Sequence, residues 1–117
     1  MLYGAPPPLP GGGASGYASA TDTTTTAVIP APGKGFQLNV TRLVIYNSHA
    51  TTTTGVDIYS GTTKKWGPIP APFGGGSVVQ LDPPLEMNDN EALGFKALGS
   101  VTTIYVSALG YKSAAMK

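Results

Sequence analysis

Cysteine is missing from this 117-residue chain, and charge is scarce, with 11% of residues being Asp, Glu, Lys or Arg. Without cysteine there is no disulfide and no thiolate metal ligand. Small secreted domains commonly lean on disulfides, so their absence favours assembly inside a reducing cell. His49 is the one histidine, which leaves zinc short of its three or four ligands. Seven basic residues against six acidic ones give a net charge of +1, and only Lys64-Lys65 form a basic pair. Nucleic-acid binding shows as a clustered basic face, so no nucleic-acid partner is expected. No apolar run approaches the roughly 20 residues of a membrane helix. The start, Met1-Leu2-Tyr3-Gly4-Ala5-Pro6, lacks the basic and apolar regions of a signal peptide. No membrane partner is expected either. At roughly 100–200 residues per domain, the length also leaves no room for a two-lobed enzyme.

In place of charge the chain carries Thr, Ser, 16 Gly and 11 Pro, a composition that disfavours helix. Residues 1–22 stand apart. Pro6-Pro7-Pro8-Leu9-Pro10 favours polyproline II, which has no internal hydrogen bonds, and Gly11-Gly12-Gly13 breaks it. Such a stretch cannot build its own core. It reads as a solvated tail or as an arm ordered on a neighbour. Leu2, Tyr3, Pro8, Leu9 and Tyr17 are the contact points an arm would use. At about 3.3 Å per residue, such an arm reaches well beyond one domain radius. The division is therefore an extended arm over residues 1–22 and a β-sandwich domain over residues 23–117.

The body reads as strands. Thr23 to Ile29 is β-branched and stopped by Pro30-Ala31-Pro32-Gly33. Phe36, Leu38 and Val40 alternate with polar residues, then the apolar phase slips at Arg42 to Leu43 and Ile45. A β-bulge near Thr41-Arg42 absorbs such a slip; the alternative is a strand buried on both faces over Leu43-Val44-Ile45-Tyr46. Val56 and Ile58 alternate with Asp57 and Tyr59. Pro68, Pro70 and Pro72 recur at every second position, which a central ladder cannot hold, so this is an edge strand or an extended loop. Val78-Val79-Gln80-Leu81 is a short strand stopped by Asp82-Pro83-Pro84, and Asn88-Asp89-Asn90 is a turn. Residues 92–97 and 101–109 are strands, joined as a hairpin through Gly99-Ser100. Seven or eight short strands without helical periodicity predict an all-β fold. The architecture is an antiparallel β-sandwich with a jelly-roll-like body and an extended Pro/Gly-rich N-terminal arm.

Groups for catalysis are few. A Ser48-His49-Asp57 set can be drawn, but no nucleophile-elbow motif accompanies it, and His49 fits a hydrogen-bonded turn residue better. Glu86, Asp89 and Glu91 cluster around a turn, where acids are ordinary surface; Asn88 to Glu91 lacks the calcium-loop pattern. No catalytic residue, metal site or cofactor is expected. The aromatic residues remain. Trp66 and Phe73 flank the prolines, so Trp66, Pro68, Pro70 and Phe73 form a candidate subunit interface, since aromatics are enriched at interface cores. The alternative is that these rings close the domain's own core. A stacking platform of Trp66, Tyr59 and Phe73 for a carbohydrate is the competing reading.

From Leu43 onward the order of features is suggestive: Leu-Val-Ile-Tyr-Asn (43–47), Val56-Asp57-Ile58-Tyr59, Pro-x-Pro with a Gly-Gly break (70–75), Asp-Pro-Pro-Leu (82–85), Asn90-Glu91-Ala92-Leu93 and the closing strand to Gly110-Tyr111. Over roughly residues 25–112 this pattern resembles the small β-sandwich capsid decoration, or cement, proteins of tailed bacteriophages. The resemblance implies a non-enzymatic virion structural protein on the capsid surface. It implies a homotrimer, a major capsid protein as partner, and an arm laid over capsid subunits or neighbouring copies. Tail and fibre proteins share the Thr/Gly-rich style, which keeps a tail-associated or host-attachment module open.

Overall fold

The computed structural model describes residues 13–99 and 103–115. Among them the chain is all-β, with eight strands in two antiparallel four-stranded sheets. The strands are β1 (Gly13–Ala20), β2 (Thr26–Ile29), β3 (Phe36–Asn47), β4 (Thr54–Ser60), β5 (Thr63–Ala71), β6 (Gly75–Glu86), β7 (Leu93–Ala97) and β8 (Ile104–Ala114). The front sheet has the order β1-β8-β3-β6 and the back sheet β2-β7-β4-β5. Pairing is nested: β4 with β5, β3 with β6, β2 with β7 and β1 with β8. The chain is thus one long hairpin, bent at the β4–β5 turn and rolled into two sheets, as in an eight-stranded jelly roll.

Period-2 alternation builds the core between the sheets. Leu38, Val40, Leu43 and Ile45 of β3 meet Ile104, Val106 and Ala108 of β8, and the back sheet answers with Val56, Ile58, Ile69, Leu93 and Phe95. The phase slip in β3 is a β-bulge. Register shifts between Val40 and Arg42 against both β6 and β8, and Thr41 Oγ1 donates to the Leu109 carbonyl at 3.1 Å. One extra residue keeps Leu43 and Ile45 on the core side and leaves Val44 and Tyr46 outside.

The sandwich is closed at both long edges. β1 and β2 come so close that a Cβ at Gly16 would collide with the Val28 carbonyl, so only glycine fits there. At the other edge, Ser77 Oγ of β6 donates to the Pro70 carbonyl of β5. β5 is the outer strand of the back sheet, the edge position that its prolines dictate.

Three features depart from the sequence reading. Gly13–Ala20 belong to the body, as the edge strand of the front sheet. Ala14, Ala18 and Ala20 pack on the core while Ser15, Tyr17 and Ser19 face out; a strand made of small residues hides its alternation inside a low-complexity composition. Strands β7 and β8 do not form a hairpin, because they lie in different sheets. Both carry inward apolar residues, and facing sheets bury them better than neighbouring strands would. Finally, β6 runs past Asp82-Pro83-Pro84 to Glu86. Its register against β3 jumps between Gln80 and Leu85, so the prolines sit in an excursion that demands no ladder donor.

Candidate interaction surface

Cross-strand pairing places the outward residues of the front sheet in three rows. Ser15, Leu109, Arg42 and Gln80 form the first; Tyr17, Ser107, Val44 and Val78 the second; Ser19, Tyr105, Tyr46 and Gly76 the third. Six of these twelve side chains are large and apolar or aromatic, and all six are exposed, Tyr17 at 77%, Val78 at 61% and Leu109 at 52%. Scattered exposed apolar residues are ordinary, whereas a contiguous patch marks an interaction site. The Tyr46 and Tyr105 rings stack at that end of the face, with centroids 6.1 Å apart and planes tilted by 28°. Ser107 is short, and a groove of about 390 Å³ opens above it, lined by Tyr17, Val44, Leu109 and Arg42. Its size is at the low end for ligand clefts. Its walls offer rings, methyls, hydroxyls and one guanidinium, and no acid or base pair.

The back sheet carries a second, smaller patch. Trp66, Pro68 and Pro70 are exposed on β5 while Ile69 and Ala71 are buried, and the register against β4 shifts between Val56 and Ile58, where Trp66 pairs with Ile58. Pro68 and Leu98 both lie over Gly55, and Leu98 and Trp66 are exposed. Phe73 is exposed in the turn from β5 to β6. Three of the four residues read as a subunit interface are therefore exposed on one edge strand, and the fourth sits past its end. Tyr17 is on β1 in the front-sheet patch; Leu2, Tyr3, Pro8 and Leu9 lie outside the described residues.

The titratable groups are occupied with structure. His49 Nδ1 accepts from the backbone N–H of Thr51 and of Thr52, each at 3.0 Å, and Ser48 Oγ donates to the Thr103 carbonyl. Asp57 is buried on β4 and paired with Lys64 of β5 at 3.4 Å, so the drawn Ser48-His49-Asp57 set is not assembled. The acidic turn is a clasp. Asn90 Oδ1 and Asp89 Oδ1 accept from the N–H of Gly33 and Gly35, and Glu91 Oε1 accepts from Ser60 Oγ at 2.7 Å and from Asn88 Nδ2. These oxygens hold loops together. Among the described residues no group of three His, Cys, Asp or Glu is placed to hold a metal ion.

The front-sheet face was not singled out in the sequence, where Leu43 to Tyr46 fitted both a strand following a bulge and one buried on both faces. Asn47 was read only as part of a polar turn. It is fully buried, and its Nδ2 donates to the carbonyls of Thr52 and Ala71 while its Oδ1 accepts from His49 N–H.

No known family and no curated protein matches this sequence. Among solved structures, a chain of the cyanophage Pam1 capsid asymmetric unit is similar, with a TM-score of 0.49 and 13% identity over 95% of this chain and 93% of that one.

Proposed function

We propose that this chain is a non-enzymatic structural component of a virion, a decoration protein that stabilises a bacteriophage head by attaching to its assembled shell. The observation that carries the reading is the division of labour on the surface. Two sheet faces present exposed aromatic and apolar side chains, while the acids of the turn and the histidine are consumed by internal hydrogen bonds. Chemistry needs convergent acid-base groups, and adhesion needs apolar area that water can be driven from. In this reading the exposed Trp66, Pro68 and Pro70 of β5, with Phe73, meet a neighbouring copy. Leu2, Tyr3, Pro8 and Leu9 reach the major capsid protein. The assembly is a homotrimer on the capsid surface. Many copies that bind only the assembled shell stabilise it by mass action.

Cosedimentation of the purified chain with undecorated heads tests this. The full chain should pellet with heads at saturating stoichiometry and raise their disruption temperature. Trp66→Ala combined with Phe73→Ala should dissociate the trimer and, with the loss of multivalent attachment, weaken binding to heads at least tenfold, about 1.4 kcal/mol or more. Failure to pellet, together with saturable Trp66 quenching by one sugar class, would replace the reading with carbohydrate attachment.

A further inference from the structure

We infer that the first half of β6 is an open sheet edge on which a second copy of this chain pairs antiparallel, Val78 against Val78, so that two front sheets join into one of eight strands. The pairing uses none of the residues assigned to the trimer contact and does not depend on a shell.

An edge strand presents unpaired N–H and C=O groups, and stable folds blunt such edges with charge, proline, bulges, shortness or cover. This sandwich has four edge strands, β1, β6, β2 and β5, and three of them are blunted. β1 lies so close to β2 that a Cβ on Gly16 would collide with the Val28 carbonyl. β2 is four residues long, and its register shifts between Ala27 and Ile29. β5 carries Lys64, Lys65, Pro68 and Pro70. β6 differs. From Gly75 to Leu81 it holds no charge and no proline, and Gly75 to Gln80 pair with Asn47 to Arg42 of β3 without a shift. Ser77 ties it to the back sheet through its hydroxyl, on the Pro70 carbonyl, which uses no backbone group of β6.

A second copy is the strand that fits. Full overlap of the uncharged run from Gly75 to Leu81 puts its midpoint, Val78, on a two-fold axis. Gln80 then faces Gly76 of the second copy, and Ser77 faces Val79. Like charges stay apart. Asp82, the first charged residue past the run, falls opposite Gly74 of the second copy. The two Asp82 residues stand roughly 26 Å apart at 3.3 Å per residue, beyond the roughly 8–10 Å over which salt leaves charges unscreened. Val78 is 61% exposed and ends the outward row of Tyr17, Ser107, Val44 and Val78. Pairing sets two Val44 and two Val78 side by side across the junction, an aliphatic cross-strand contact of the kind that stabilises sheets. Each copy has one open edge and the contact is self-complementary, so association through it closes at two. The joined strip, about 23 Å long and one layer of ~10 Å deep, falls well short of the roughly 800 Å² per partner of a standard interface. The pair therefore dissociates on dilution.

Because the chain has no cysteine, Val78→Cys supplies a single thiol. Directly opposed residues have Cα atoms about 4.5–5.5 Å apart, within disulfide reach. Oxidised with diamide, Val78→Cys should form a covalent dimer at least about tenfold faster than Tyr17→Cys, as thiols held side by side do. Tyr17 is the more exposed residue, at 77%. It lies on the opposite edge of the sheet, so in the pair its two copies stand roughly 34 Å apart. Sedimentation equilibrium reads the contact without a crosslink. Val78→Lys and Val78→Glu should each weaken self-association at least about threefold, and an equal mixture of the two should restore it, since opposite charges then face across the axis. The excess of crosslinking at position 78 should persist when Trp66→Ala and Phe73→Ala are added, so loss of the trimer and loss of this pair are read apart. Equal crosslinking at positions 78 and 17, or an excess that vanishes with the trimer contact, overturns the inference. So does a mixture that associates no more tightly than its components, or growth into fibrils in the chain carrying Trp66→Ala and Phe73→Ala, since an edge closed on a two-fold leaves none to extend.

Discussion

At the scale of single residues, the polar side chains that matter most are the ones that finish turns. Asn47 is the clearest. It sits at the end of β3, fully buried, and its amide ties the strand to the loop at Thr52 and to the end of β5 at Ala71. Its oxygen caps the N–H of His49. Removing a buried group leaves its partners dry and unpaired, at about 1–3 kcal/mol for the set. Asn47→Ala should therefore lower the urea midpoint markedly, by about 2–3 kcal/mol of stability. His49→Ala, in the half-buried part of the same turn, should cost about 1 kcal/mol or less. Equal losses would mean that the histidine, not the asparagine, organises the turn. Glu91 belongs to the same class, because its carboxylate holds the fully buried Ser60 and the amide of Asn88.

At the scale of elements, the bulge in β3 decides which side chains are core and which are surface. Upstream of it Leu38 and Val40 point inward; downstream Leu43 and Ile45 do, and Thr41 is the residue that makes the two phases compatible. Deleting Thr41 would leave Leu38, Val40, Leu43 and Ile45 in one unbroken alternation, with Val40 and Arg42 consecutive opposite Gly110 and Leu109, whereas inserting one more residue after Thr41 would turn Leu38 and Val40 outward and Gln37 and Asn39 into the core. The insertion should cost the cooperative urea transition or give an insoluble product, and the deletion should keep the transition. Thr41→Val, which removes only the bond to Leu109, should retain a cooperative transition within about 1 kcal/mol of the parent. An insertion variant as stable as Thr41→Val would show that the strand re-registers freely. This element was legible in the sequence because five alternating apolar residues make the slip visible. The edge placement of β5 was legible because proline removes ladder donors. Strand β1 was not, since glycine, alanine and serine differ too little in hydropathy to show a period. Nor was the separation of β7 from β8. A Gly-Ser pair between two apolar strands is compatible with a hairpin and with a crossing between sheets, and only the burial demands of the whole sandwich choose between them. The candidate surface was half legible: the β5 row was visible from its proline spacing, and the front-sheet face depended on knowing which way β3 points.

At the scale of the molecule, nested pairing sets an order of assembly. β4 and β5 are joined by a short turn, and Gly61 there adopts a φ of 57°. β1 and β8 pair residues from the two ends of the chain, as Gly13 does with Tyr111. Closing the shorter loop costs less entropy, and each inner pair brings the next pair closer together. Folding should begin near β4–β5 and end with β1 docking on β8. A sheet dominated by distant pairings also folds slowly, on the order of milliseconds to seconds. The test is a pair of core substitutions read by stopped-flow chevrons. Val56→Ala removes buried methyls opposite Ile69 and costs about 2 kcal/mol or more. Its loss should fall largely on the folding rate. Ala18→Gly on β1 removes a partly buried methyl and costs about 1 kcal/mol, enough for a reliable kinetic ratio. Its loss should fall on the unfolding rate, leaving folding nearly unchanged. If Ala18→Gly slows folding in the same proportion as Val56→Ala, the ends of the chain meet early. The edge strand would then belong to the nucleus, and β1 could not loosen without unfolding the body. If the two differ as expected, β1 is the last strand on and the first off. The N-terminal edge of the front sheet, with the exposed Tyr17, is then the part of the body that opens most easily.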